Sequence, residues 1–224
     1  MPAIMAATVL MGIVGFVFCA VSTYVLFQRR TELATRTIRD AYLPELEQSQ
    51  LDPATKKEVV QEVRQLALDL ENGRYENWQS AGILQRLQRV PMLQWGRLTA
   101  VRAALAESLN DLPDDAPDDA PEPSGDELAS ADRLLNRLHH GISQDRFTSF
   151  DLQDVLEPVL VADANSPSAY SLIRPISIEA ARSVFERVQL LVDGAEIEDK
   201  TYVVQSPAQW IRAAIQDGAT AGTL

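Results

Sequence analysis

The chain has 224 residues, 46% of them hydrophobic, and carries 20 Lys+Arg against 32 Asp+Glu for a net charge of −12. That length holds one ordinary domain or two small ones, and the apolar fraction suffices for a packed core. Residues 1–109 carry 12 basic against 11 acidic side chains and residues 110–224 carry 8 against 21, so the second half repels phosphate backbones, which excludes nucleic acid as its partner and favours a basic protein surface.

The first element is apolar. From Ala3 to Phe27 run 25 residues without a charge, about 37 Å as a helix at roughly 1.5 Å per residue, enough to cross a hydrocarbon core with some tilt. The run exceeds the apolar core of a cleaved signal peptide, no Lys or Arg precedes it, and no small-x-small pattern leads into a polar start. Residues 1–28 are therefore expected to be an uncleaved transmembrane anchor in the lipid bilayer. Arg29, Arg30, Arg36 and Arg39 crowd its C-terminal flank. By the positive-inside tendency this predicts a single-pass protein of a bacterial inner membrane, with a tail of two or three residues outside and the bulk cytoplasmic.

Within the run, Thr8, Gly12, Gly15, Cys19 and Ser22 recur at spacings of 4, 3, 4 and 3. Such a stripe of small residues lets a second helix approach closely, which predicts docking on another membrane protein or on a second copy. Cys19 is the only cysteine, so no intrachain disulfide forms, and Phe18 before it does not fit a lipoprotein site.

Beyond the anchor the pattern is helical and repeats three times. Counting back from Gly73, apolar residues fall at Leu70, Ala67, Val63 and Val60. The same offsets from Gly141 reach Leu138, Leu135, Ala131 and Leu128, and from Gly194 they reach Leu191, Val188, Val184 and Ala181. Each set is one face of an amphipathic helix. Each glycine stands where a left-handed residue closes a helix, so Gly73, Gly141 and Gly194 are expected as helix C-caps.

An aromatic follows each glycine (Tyr75, Phe147, Tyr202), and a second apolar-periodic segment follows that: Ile83, Leu84 and Leu87; then Leu152, Val155, Leu156 and Val159; then Trp210, Ile211, Ala214 and Ile215. Asp52-Pro53, Ser149 and Ser206-Pro207 mark helix starts. A further helix is expected near Leu98–Leu109. The uneven spacing of the three hairpins argues against a regular solenoid. The turn "GISQDRF" resembles the glycine, Ile-Ser/Thr, acidic-aromatic turn of the short C-terminal domain family, a two-helix interaction module. It lacks one residue after the glycine and has Arg146 where an acid belongs, so no function is carried over.

Between the first and second hairpins, "NDLPDDAPDDAPEPSGDE" at 110–127 combines Pro113, Pro117, Pro121 and Pro123 with a run of acids and almost nothing apolar, the composition of a disordered linker. The expected organisation is an anchor at 1–28, a juxtamembrane helical module at 29–109, this linker at 110–127, an acidic helical module at 128–217 and a flexible tail at 218–224. The fold class is mainly α, with helical-hairpin modules. "AYSLIRPISI" and "KTYVV" are candidates for a minor β-ribbon near the C-terminal third, which Pro175 would confine to an edge.

No chemistry-bearing motif emerges. His139 and His140 are adjacent, about 100° apart on a helix, and cannot share the i, i+3 or i, i+4 face that metal ligands need; a histidine in a last turn complements the carbonyl end of the dipole. Asp114 to Asp118 spells a DDxxD string, which resembles the magnesium-diphosphate motif of prenyl-transferring enzymes, but the prolines forbid the helix that would align its carboxylates. There is no GxSxG, no GxxxxGK[ST] and no GxGxxG. No catalytic, cofactor-binding or metal-ligating residue is assigned, and no cofactor. Trp78, Trp95 and Trp210 are expected in the core. The functional expectation is a membrane-anchored helical adaptor, or accessory or assembly subunit, with a membrane-bound signalling regulator as the alternative and an enzyme least favoured.

Overall fold

In the computed structural model, which describes residues 16, 30–110, 125–163 and 166–220, the chain is mainly helical. The expected anchor, apart from Phe16, lies outside the described residues, and with it Thr8, Gly12, Gly15, Cys19 and Ser22. Among the described residues no helix is long and apolar enough to cross a membrane.

Helix α1 (Arg30–Thr37) passes through a π-helical turn (Ile38–Tyr42) into α2 (Leu43–Gln48). Pro44 has no N–H for the carbonyl four residues back and its ring crowds that carbonyl, which accounts for the widened turn just before it. Helix α3 (Pro53–Glu71) starts as its sequence dictates, with the Asp52 carboxylate accepting from the N–H groups of Ala54 at 3.1 Å and Thr55 at 3.0 Å. The Thr55 contact leads the interactions that hold this carboxyl below its ordinary range. A capping box between Glu76 and Gln79 opens α4 (Asn77–Arg89), and α5 (Met92–Asn110) follows.

The second part begins with α6 (Gly125–Ser143) and α7 (Ser149–Leu156), the latter capped by Thr148 paired with Asp151 rather than by Ser149. A 3-10 turn (Glu157–Val159) leads to an antiparallel ribbon of β1 (Leu160–Asp163) and β2 (Ser166–Leu172), then α8 (Ile178–Gly194) and α9 (Pro207–Thr220). The ribbon therefore exists, but "AYSL" pairs with "LVAD" and not with "KTYVV". The cause is local: Asn136 in α6 brackets Tyr202, its Nδ2 donating to the Tyr202 carbonyl at 3.0 Å and its Oδ1 accepting from the Tyr202 N–H at 2.7 Å. The side chain thus occupies the backbone groups a partner strand would need.

Two helix layers share the core. Helix α9 runs beside α3 in the same direction, with Ser206 Oγ on Glu58 at 2.9 Å and Arg212 Nε on Glu62 at 2.9 Å. It lies antiparallel to α4, where Gln79 Nε2 donates to the Ala219 carbonyl at 3.0 Å. At that crossing a Cβ on Gly218 would lie 2.7 Å from the Gly82 carbonyl carbon and overlap the Ile83 backbone, so both glycines are required by close approach. In the other layer α5 packs on α7 and α8, and α6 on α8. Arg102 of α5 grips Asp132 of α6 through Nε and Nη2, at 2.9 and 2.8 Å.

All twelve apolar positions of the threefold pattern are buried or packed on the core. The segments expected as modules at 29–109 and 128–217 meet in this one core through α5 and α9, while Asn110 and residues 125–127 of the expected linker are helical.

The helix stops differ from expectation at two of three glycines. Gly73 does adopt the left-handed conformation, φ +68°, and closes α3 with Gly73 N–H on Leu70 O and Arg74 N–H on Asp69 O. Gly141 and Gly194 are helical and do not cap. The same pair of bonds forms beyond them, with Asp145 (φ 55°) left-handed after α6 and Glu196 (φ 55°) after α8. Gly141 is needed for another reason: a Cβ there would overlap the Phe147 ring and lie 2.7 Å from Ile197 Cδ1. Gly194 meets nothing within 4 Å.

Candidate functional site

The most unusual polar group lies at the meeting point of α5, α6 and α9. His139, on the inner face of α6, is only 4% exposed. Its ring contacts Trp95 of α5 edge-on at 5.2 Å between centroids and Trp210 of α9 at 4.5 Å, and the two indoles contact each other at 5.5 Å and 85°. Such edge-to-face geometry suits the quadrupoles of aromatic rings.

Burial pushes His139 down to about 4, opposed by the nearby backbone of His139 and Gln205 and reinforced by His140. The imidazole is therefore neutral near pH 7 and cannot supply the positive charge expected at the helix end. Among the described residues its Nδ1 has no hydrogen-bond partner, and neither does the indole nitrogen of Trp210. His140 points elsewhere, stacking on Tyr202 at 3.8 Å and 10°, with Lys200 Nζ 5.3 Å from the same ring. The two histidines do not converge on a common ligand.

Two residues earlier in α6, Arg137 is also buried. Its Nε donates to the Ile197 carbonyl at 3.1 Å and its Nη2 to Asp193 at 2.7 Å and to the same carbonyl. The guanidinium thereby satisfies backbone just past α8, where carbonyls lack helical partners. This explains how the loop after α8 is fixed against α6.

Beside Trp210 a cleft of about 170 Å³ is lined by Arg86, Arg89, Asp145, Phe147, Thr148 and Asp217. Two cations face two anions there, so the cleft presents little net charge to steer a ligand. Among the described residues no group of three or more His, Cys, Asp or Glu could hold a metal ion. Along the outer side of α3 runs a shallower groove of about 660 Å³, with Lys56 and Lys57 near its start, Arg64 paired with Glu47, and Leu68, which is 49% exposed, near its other end.

Trp210 is buried and Trp95 half-buried, as the apolar periodicity implies, but Trp78 is exposed at the start of α4, its indole N–H donating to Glu76 at 2.8 Å. Sequence reasoning missed the His139 cluster because the helical period was read for aliphatic residues alone. His139 lies four residues after Leu135 and three before Ile142, on the same stripe, and that spacing was the available signal. Comparison with protein-family models, curated proteins and solved structures yields no match.

Proposed function

We propose that this is a single-pass, membrane-anchored helical adaptor or accessory subunit that binds partner proteins at the cytoplasmic membrane face. The observation that carries the reading is the uncharged run from Ala3 to Phe27, followed at once by Arg29 and Arg30 and then by the helical body. Tethering holds the body's charged faces at high effective concentration near membrane complexes. Two faces suit protein partners: the acidic second half, matched to a basic surface, and the basic groove of α3, where Lys56 and Lys57 make no ion pair among the described residues and Leu68 adds an apolar contact. The small-residue stripe in the anchor offers a third contact, with another membrane helix.

The test is purification of the full-length protein in mild detergent after cross-linking, with mass spectrometry of what accompanies it. A defined set of membrane proteins, depleted when Gly12→Ile and Gly15→Ile are combined, is the expected result. A protein that purifies alone and unchanged in size with or without those substitutions would overturn the adaptor reading.

A further inference from the structure

We infer that one end of the helical body, formed by the start of α1, the α3–α4 turn and the start of α4, rests on the lipid headgroups, with Trp78 seated in the membrane interface. The inference rests on the anchored reading above and adds which surface meets the lipid.

The uncharged run ends at Phe27, and only Gln28, Arg29 and Arg30 separate it from Thr31. Thr31 is fixed to the start of α4: its Oγ1 donates to Asn77 Oδ1 at 2.8 Å and lies 3.0 Å from Ser80 Oγ. Residues 28–31 reach at most about 14 Å even when fully extended, and the headgroup layer on each side of a bilayer is about 5–8 Å thick. That short reach keeps Asn77, and Trp78 next to it, at or beside the headgroup layer.

The side chains at this end fit that position. Trp78 is the one exposed tryptophan, and its amphipathic ring, apolar in body and with its N–H on Glu76, is of the type that gathers at membrane interfaces. Leu33 of α1 is 50% exposed on the same short helix as Thr31. Arg30 and Arg74 also lie at this end, Arg74 paired with Asp69 at 2.9 Å in the turn that carries Glu71 and Glu76. The geometry also orients the rest: α3 and α9 run toward this end and α4 away from it, so the start of α3, with Lys56 and Lys57, lies at the far end, available to cytoplasmic partners.

The full-length protein reconstituted into phosphatidylcholine–phosphatidylglycerol vesicles, with and without lipids brominated near the top of the acyl chains, reads the position of Trp78 directly. Bromolipid is expected to quench the wild-type emission, and the Trp78→Phe variant, with unchanged helical circular dichroism, is expected to lose about half or more of that quenching, since Trp95 and Trp210 sit in the core. Equal quenching of both proteins, or none in either, while the protein floats with the vesicles overturns this placement and leaves the anchor intact. Protein that fails to float with the vesicles overturns the anchor and this inference together.

Discussion

A neutral histidine held in an apolar box makes stability depend on pH in a defined direction. His139 has an ordinary value of 6.5 in the unfolded chain and about 4 in the fold. Above pH 6.5 neither state binds the proton and the cluster's contribution is complete. As pH falls below 6.5 the unfolded chain takes up a proton the folded one refuses, so stability is lost progressively down to about pH 4, by about 3 kcal/mol at 1.36 kcal/mol per unit. Chemical unfolding of the detergent-solubilised protein followed by circular dichroism from pH 7.5 to 4 measures this. The expected outcome is a downward slope in wild type that is largely removed in His139→Phe, which keeps the packing between the indoles; equal slopes in the two proteins would show that His139 is not the group responsible. The sequence placed this residue in a helix and gave no indication of its neighbours, because periodicity assigns a face and not the side chains opposite it.

At the scale of elements, two helical glycines that look alike in sequence behave oppositely. Gly218→Ala drives a methyl group into the backbone of α4 at Gly82 and Ile83, where no side chain can swing away. The expected cost is about 1–3 kcal/mol through forced separation of α4 and α9. Gly194→Ala meets open space on a helical backbone and is expected to stabilise by about 0.5–1 kcal/mol. Urea denaturation midpoints of the two variants check both signs, and a Gly218→Ala midpoint at or above wild type would contradict the described crossing. The faces of α3, α6 and α8 were legible from four apolar offsets each, and Asp52-Pro53 marked a start correctly. The ends were not: the cap at Gly73 was legible because glycine itself takes the left-handed position there, whereas after α6 and α8 that position falls to Asp145 and Glu196, residues with no such signature. The ribbon was half legible, since strand propensity found "AYSL" but the side chain of Asn136, outside any strand, removed its expected partner.

At the scale of the whole molecule, the acidic stretch at 110–127 suggested two bodies, and the described residues form one core because α9 crosses back to α3 and α4 while α5 packs on α7 and α8. An amphipathic face states that it must be covered and not by what, so a pairing across more than a hundred residues of chain is invisible to local pattern. The proposed adaptor role requires this body to sit at the cytoplasmic face of the lipid. Protease added outside spheroplasts expressing the full-length protein, with a matched sample opened by detergent, tests that most directly. Residues 30–224 are expected to remain intact until the membrane is opened and then to be cleaved, with the uncleaved protein staying in carbonate-washed membranes. Cleavage in intact spheroplasts, or release of the protein by carbonate, would contradict it.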